Sequence, residues 1–243
     1  MAEPVRIAMW SGPRNISTAM MYAFGNRTDT FATDEPLYAH YLAKTGITHP
    51  GAAQVIANGD TDWRSVTDTL AGPVPDRSPV WYQKQMCHHI LKGMNLSWTA
   101  GFKHCFLLRD PREMLLSLSN KTDQIDAWGT GLPQQSQLIQ EIQTRTNSEP
   151  LIVDAKDILK NPKEMLSLLC EKLSIPFQEE MLSWSAGPKS FDGIWAKHWY
   201  DAVWKSTGFS PYQTRDGALT EKVKHVLAEV EPIYQKLYTK RLF

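Results

Sequence analysis

The amino-acid sequence predicts an α/β fold with three layers, α/β/α, around a central parallel sheet of about five strands. Short apolar runs rich in β-branched and aromatic residues alternate along the chain with segments of helical spacing. Alternating strands and helices form parallel sheets whose two faces are covered by helices. The length of 243 residues also fits, because α/β folds often use such a length for one core.

Five segments have the composition of strands. In chain order they are residues 5–10, 29–34, 79–86, 103–110 and 150–155. Two of the helices between and after them have clear start signals, "DPRE" at 110–113 and "NPKE" at 161–164. Each offers an N-cap residue, a proline at the first helical position and a glutamate in the capping-box position. An amphipathic helix closes the chain, and we expect Pro232 to interrupt it.

We expect a single domain over residues 1–243. The segment 46–79, with glycines, prolines and a polar helical pattern, is predicted to be an insertion that covers a site. Four of the nine tryptophans lie in the C-terminal third: Trp184, Trp195, Trp199 and Trp204. Because an indole ring needs apolar cover and a partner for its N–H, they predict an aromatic cap or pocket wall from about residue 186.

Composition excludes several classes of function. Twenty-six basic and 26 acidic residues balance, so the chain has no overall attraction to nucleic acid or to anionic membranes. It contains no apolar run long enough to span a membrane and no secretory signal, and we expect a soluble, cytoplasmic protein. Cys87, Cys105 and Cys170 are far apart in apolar segments and are predicted to be buried free thiols.

The first strand leads into the segment "SGPRNIST", residues 11–18. It lies at the edge of a parallel sheet where ligands bind, and the N-terminus of the following helix attracts anions. Arg14 adds a planar cation, and Ser17 and Thr18 add hydroxyl groups. This convergence favours a phosphate or a sulfate. The alternative is structural: Gly12-Pro13 makes a turn and Ser17 caps the helix.

A second segment of the same kind is "FLLRDPREMLLSLSN", residues 106–120. Arg109 lies just outside the N-terminus of the predicted helix, and Ser117 lies near the end of its second turn. The two side chains can bind one phosphate together, although an arginine before a helix can also be an ordinary solvated residue. A second site of the same kind favours the functional interpretation of the first.

These segments resemble the sulfotransferases that use 3′-phosphoadenosine 5′-phosphosulfate. "SGPRNISTAM" is similar to their 5′-phosphosulfate loop, in the bacterial form with arginine in place of lysine. "FLLRDPREMLLSLSN" is similar to their 3′-phosphate element, and residues 151–177 are similar to the strand, acidic loop and helix of the family. The resemblance implies a fold like that of the P-loop NTPases, with no metal requirement.

The resemblance also implies a set of residues that bind the donor: Gly12, Pro13, Arg14, Asn15, Ile16, Ser17, Thr18, Arg109 and Ser117. Ile16 departs from the family, which usually has glycine there, and predicts a somewhat different path of the loop. Ala19 stands where cytosolic members carry a tryptophan that stacks on adenine. The residue that stacks on adenine is therefore unassigned.

Sulfuryl transfer needs a base and cations near the transferred group. "ATDEPLYAHYL" at the end of the second strand offers Asp34, Glu35 and His40, and Glu35 matches the place of a general base in trehalose-sulfating members of the family. Alternatively, Asp34 and Glu35 cap a helix that begins around Pro36. Arg14 would lie near the leaving oxygen.

The third strand adds "WYQKQMCHHI", residues 81–90. By the resemblance Lys84 stabilises the sulfuryl group, and His89 or His88 orients or deprotonates the acceptor; the histidines can also be surface or capping residues. The aromatic segment around Trp195 and Tyr200 can wall an acceptor pocket or form a core patch.

We therefore predict the transfer of a sulfuryl group from 3′-phosphoadenosine 5′-phosphosulfate to a hydroxyl (or amine) of a small-molecule acceptor. The alternatives are a P-loop phosphotransferase and a non-catalytic nucleotide sensor. The phosphotransferase hypothesis is disfavoured because the Gly-Lys-Ser/Thr sequence of a phosphate-binding P-loop is missing. We expect no bound metal, no nucleic acid and no membrane partner, and the oligomeric state stays open, a homodimer included.

Overall fold

The computed structural model describes residues 3–119 and 125–243. Its centre is a parallel sheet in the order β2-β3-β1-β4-β5. The strands are β1 (Val5–Ser11), β2 (Thr30–Asp34), β3 (Val80–Met86), β4 (Lys103–Leu108) and β5 (Leu151–Asp154). The five predicted strands and the predicted fold class are confirmed, with strand ends within two residues of the prediction.

Helices cover both faces of the sheet. In chain order they are α1 (Ser17–Gly25), α2 (Tyr38–Thr45), α3 (Ala52–Asn58), α4 (Trp63–Ala71), α5 (Pro111–Leu118), α6 (Leu132–Thr146), α7 (Ala155–Lys160), α8 (Pro162–Leu173), α9 (Ala196–Trp199), α10 (Asp201–Trp204) and α11 (Glu221–Tyr238). Over the described part of the chain, no helix combines the length and the apolar character needed to cross a membrane.

The predicted helix starts are only partly correct. Asp110 caps α5 as expected, because its Oδ1 accepts the N–H of Glu113 at 3.1 Å. Asn161 stands before Pro162 at the start of α8 but makes no side-chain capping bond. Asn161 directly follows Lys160, the last residue of α7, and its backbone angles are φ −139° and ψ 69°. Asn161 thus joins two helices, and Pro162 alone marks the start of α8.

The expectation that Pro232 interrupts the last helix is wrong. Helix α11 runs from Glu221 to Tyr238 with Pro232 inside it. Its buried side chains, Val223, Val226, Val230, Tyr234 and Leu237, lie on both sides of the proline and pack into the core. An interior proline costs about 3 kcal/mol, and the burial of several large apolar side chains at about 1.5–3 kcal/mol each outweighs it.

Strand β1 divides the hydrophobic core. Ile7 and Met9 face one helical layer, which contains α1 and α8, whereas Ala8 and Trp10 face the other, which contains α5, α6 and α11. This alternation is the period of a strand buried on both faces. The cysteines are buried and free, as predicted: Cys87, Cys105 and Cys170.

The order of the strands determines where a ligand can bind. From β1 the chain builds β2 and β3 on one side of the sheet and then crosses to β4 and β5 on the other side. Such a reversal opens a crevice at the carboxyl ends of the strands. The loop between β1 and α1 lies at this reversal and is flanked by the ends of β3 and β4.

Candidate functional site

The loop from β1 to α1 has an unusual backbone at Arg14. Its φ of 57° lies in the left-handed region that glycine tolerates and other residues adopt at a cost. Ile16, in contrast, has φ −74° and ψ 27°, so the backbone at position 16 does not require glycine. The left-handed residue of this loop is therefore Arg14, which explains how isoleucine is accommodated at position 16.

Two further contacts position the loop. A Cβ atom on Gly12 would clash with the carbonyl oxygen of Thr130, so only glycine permits this close approach. The Asn15 side chain donates from Nδ2 to the carbonyl oxygen of Leu107 at 2.6 Å, which ties the loop to the end of β4. The Asn15 side chain thus holds the loop against the end of β4. Ile16, the N-cap residue, gives the first turn of α1 no side-chain cap, which leaves the helix N–H groups for a ligand.

The two predicted phosphate segments form one site. Arg14 donates from Nε to the Ser117 hydroxyl at 3.1 Å, and Arg109 donates from Nη1 to the Arg14 carbonyl oxygen at 2.7 Å. Arg109 also lies 3.4 Å from the carboxylate of Glu113. The arginine and the serine of the second segment are thus linked through Arg14, the charged residue of the first.

A third arginine completes this cluster. Burial lowers the pKa of Arg14, and the positive charges of Arg215 and Arg109 lower it further. Burial likewise lowers the pKa of Arg109, with Arg215 adding to the effect and Glu113 opposing it. Arginines that repel one another in a partly buried cluster provide a binding site for anionic groups.

A second cluster lies at the ends of β2 and β3. Asp34 and Lys84 are partners in the sheet register, and Glu35 follows Asp34 with a left-handed φ of 40°. The Lys84 ammonium donates to Asp34 at 2.9 Å, to Glu35 at 2.5 Å and to the Tyr200 hydroxyl at 2.6 Å. Helix α2 begins only at Tyr38 and has no side-chain cap, so the alternative in which Asp34 and Glu35 cap it is excluded.

The environment of this cluster sets the protonation of its members. Burial acts to lower the pKa of Lys84, but the carboxylates of Asp34 and Glu35 outweigh it and hold that pKa well above its ordinary value. Burial raises the pKa of Glu35, the charge of Asp34 adds to the rise, and Lys84 opposes it. Lys84 is therefore a permanent cation, and Glu35 is a carboxylate with increased affinity for a proton.

His89 borders Glu35 on the other side. Its Nε2 lies 4.0 Å from the Glu35 carboxylate, and its ring stacks between Tyr38 at 5.0 Å and Tyr41 at 4.7 Å. Burial lowers the pKa of His89 well below its ordinary value, with the neighbouring His88 as the next cause. His89 is therefore a neutral imidazole beside Glu35. Within the described residues no group of three or more His, Cys, Asp or Glu side chains has the arrangement of a metal site.

A cavity of about 260 Å³ opens beside Glu35. Glu35, Ala39 and Val55 line one part of it, and Asp192, Gly193 and Trp195 line another. The Gly193 N–H donates to Asp34 at 3.0 Å, so the aromatic C-terminal segment is joined to the Lys84 cluster. Residues of three separate regions of the chain thus surround one space next to a carboxylate.

Residues 5–240 match the family model described as "Sulfotransferase domain". The chain belongs to this family. Among solved structures, the sulfotransferase from Alicyclobacillus acidocaldarius aligns with a TM-score of 0.55 at 11% identity, over 100% of this chain and 98% of the other. The sulfotransferase domain from the curacin biosynthetic pathway aligns with a TM-score of 0.50 at 13% identity, over 95% and 99%. At such identities these structures show the fold that this sulfotransferase domain shares with them.

The chain is also similar to one further solved structure and to two proteins found by sequence. A retinol dehydratase in a complex with retinol and PAP has a TM-score of 0.50 at 11% identity, over 100% of the sulfotransferase domain and 84% of the dehydratase. Branched-chain-amino-acid aminotransferase-like proteins 1 and 2 from Arabidopsis thaliana are 35% and 33% identical, over 86% and 95% of the chain. The match covers 37% and 41% of those proteins, so the sulfotransferase domain spans about two fifths of their length.

Sequence reasoning missed three contributors to the site of this sulfotransferase domain. Arg215 lies in the coil between α10 and α11, where no periodicity or motif distinguishes it. The sequence predicts Tyr200 only as part of a pocket wall or of a core patch, yet its hydroxyl donates to Asp34 at 2.8 Å. The N–H of Gly193 carries no side-chain signal at all. The "WAKHWY" composition was the available clue, since a buried tyrosine needs a polar partner for its hydroxyl.

Proposed function

We propose that the domain transfers a sulfuryl group from 3′-phosphoadenosine 5′-phosphosulfate to a hydroxyl, or an amine, of a small-molecule acceptor. The observation that carries this proposal is a juxtaposition at the carboxyl edge of the sheet. An arginine cluster at the start of α1 lies at the ends of β1 and β4, and a buried carboxylate paired with Lys84 lies at the ends of β2 and β3 beside a cavity. The first can hold an anionic donor, and the second can receive the proton of an acceptor.

The donor site follows from the charges. We assign the 5′-phosphosulfate end to the loop 12–18, where the free N–H groups of α1 combine with Arg14 and the hydroxyls of Ser17 and Thr18. We assign the 3′-phosphate to Arg109 and Ser117, with Arg215 adding charge. Support comes from the retinol dehydratase of the same fold, which is known in a complex with PAP. Filling this site with an anion would relieve the mutual repulsion of the three guanidinium groups.

The acceptor side follows from the Lys84 cluster. The acceptor oxygen forms a bond to sulfur while the bond from sulfur to the bridging oxygen of the 5′-phosphate breaks, and 3′,5′-diphosphoadenosine leaves. Glu35 takes the acceptor proton, a step for which its raised pKa suits it. Lys84 and Arg14 offset the negative charge that develops on the sulfuryl and leaving oxygens. His89, neutral and adjacent to Glu35, orients the acceptor hydroxyl.

We further propose that two segments form the walls of the acceptor cavity within a single domain. The inserted segment 46–79 contributes Val55 and Asn58, and the aromatic segment from about 186 contributes Gly193 and Trp195. The tie between Gly193 and Asp34 supports this assignment, because it holds the second wall against the catalytic cluster.

Ligand binding tests the proposed donor. We expect 3′,5′-diphosphoadenosine to raise the thermal unfolding temperature of the protein, and ATP with Mg²⁺ to raise it much less, because ATP lacks a group for Arg109 and Ser117. Equal stabilisation by both ligands would contradict the two-phosphate site. A screen of a metabolite extract with labelled donor, followed by mass spectrometry of the product, then tests transfer itself.

A further inference from the structure

The cavity beside Glu35 has a one-sided charge. Among its described lining residues there is no lysine, arginine or histidine, whereas two of them, Glu35 and Asp192, are acidic. Asp34 lies directly behind the wall and accepts the N–H of the lining residue Gly193. Two acidic residues therefore line the space and Asp34 lies behind it, while Lys84, the neighbouring cation among the groups named, is already shared by Asp34 and Glu35.

Asp192 is held by neutral hydrogen-bond donors. Its Oδ2 accepts hydrogen bonds from Tyr22 at 2.7 Å, from Trp204 at 2.9 Å and from the backbone N–H of Lys189 at 2.9 Å. These donors fix the carboxylate in place. No cationic side chain of the described residues forms an ion pair with it.

Apart from Asn58, the rest of the lining is apolar and aromatic. Ala39, Val55 and Ile194 offer aliphatic surface, and the indole of Trp195 packs edge to face against Tyr38 at 5.1 Å. An aromatic face next to a carboxylate is the arrangement that recognises organic cations. The volume of about 260 Å³ corresponds to roughly nine water-sized volumes of about 30 Å³ each, so the ligand is compact.

We infer that the acceptor is a compact alcohol that carries a cationic group, an amino alcohol, with its hydroxyl at Glu35 and its cation toward Asp192 and Trp195. This inference rests on the proposed sulfuryl transfer and names its acceptor class. It also assigns the charges of the two halves of the site: the donor half is cationic and the acceptor half is anionic. A carboxylate or phosphate on the acceptor would be repelled by the charges of Asp192 and Glu35.

Three acceptors of matched size test the inference: choline, its uncharged isostere 3,3-dimethylbutan-1-ol, and the anion 4-hydroxybutanoate. Affinity for the complex of the protein with 3′,5′-diphosphoadenosine is measured by calorimetry, and kcat/KM is measured with labelled donor. We expect choline to exceed the neutral isostere by about tenfold or more in both, since a charge pair near a protein surface contributes at least that factor. The anion should bind least.

Two variants locate the effect. Asn58 lines the cavity from the exposed end of α3, and Asn58→Lys should lower the ratio of choline to neutral isostere by about tenfold. Gln140→Lys adds the same charge on the exposed side of α6, outside the cavity, and should leave the ratio unchanged. Asp192→Asn should lower the ratio as well, and Asn58→Lys keeps the test decisive if that buried substitution impairs folding.

The outcomes separate this inference from the proposed function. If 3′,5′-diphosphoadenosine binds and the neutral alcohol or the hydroxy acid equals or exceeds choline, the cationic class is wrong while sulfuryl transfer stands. Failure of all three acceptors to bind, with the donor product bound, likewise overturns the acceptor class. If 3′,5′-diphosphoadenosine itself does not bind, the proposed function fails.

Discussion

Replacement of Lys84 by methionine tests the central cluster directly. Lys84 is 1% exposed and donates to Asp34, Glu35 and Tyr200. Without the ammonium, two neighbouring carboxylates remain in a buried site with no compensating charge, a change that costs about 3–5 kcal/mol. Tyr200 still donates to Asp34, and Glu35 is partly in contact with solvent, so we expect a loss of about 3 kcal/mol, at the lower end of that range.

Urea unfolding followed by tryptophan fluorescence measures this loss, and two further variants make the result decisive. Lys103→Met removes an exposed lysine at the start of β4 and should change the free energy of unfolding by less than about 0.5 kcal/mol. Adding Asp34→Asn to Lys84→Met should recover about half of the loss, because one uncompensated charge is removed. If Lys84→Met were no more destabilising than Lys103→Met, the cluster would not be the coupled buried network described above.

Three other changes have defined outcomes. Glu35→Gln should leave 3′,5′-diphosphoadenosine binding unchanged and lower kcat by about 10²–10⁴-fold, and full activity would place the base elsewhere. Arg109→Ala should weaken that binding by about 1.5–3 kcal/mol in calorimetry, whereas Arg145→Ala on α6 should not; equal effects would remove Arg109 from the donor site. Burial lowers the pKa of His104 to about 4, and its Nδ1 accepts from Trp10 at 3.1 Å, so the neutral ring is the native form. The neutral ring stabilises the fold fully above about pH 6.5, and this contribution is lost as the pH falls toward 4, by up to about 3 kcal/mol. His104→Gln should flatten the dependence of the urea midpoint on pH, and an unchanged slope would exclude His104 as the cause of that dependence.

The strands and the proposed donor loop could be predicted from the sequence because their signals are local. Five apolar runs bounded by turn residues indicate strands, and a glycine, an arginine and two hydroxyls before a helix indicate an anion site. The sequence also predicts that Arg14 and Ser117 bind phosphate. That Arg14 donates to Ser117 at 3.1 Å could not be predicted, because the two residues are 103 positions apart and meet only through the order of the strands.

The remaining features depend on tertiary packing. Tyr200 and Gly193 reach Asp34 across 166 and 159 positions, from a segment without regular periodicity. Pro232 is a local signal that packing overrides, since the buried face of α11 continues past it. The charge of the cavity beside Glu35 is likewise a sum over separate segments, and no single segment indicates it alone.

The left-handed backbone at Arg14 and Glu35 has an evolutionary consequence. Each residue forgoes about 1 kcal/mol or more of stability that glycine would regain at the same φ, yet in the proposed mechanism each supplies the charged group on its side of the reaction. In a library randomised at these two positions, selection for resistance to heat should enrich glycine. Selection for turnover should deplete it, so the domain's maximum stability and its maximum activity lie at different sequences.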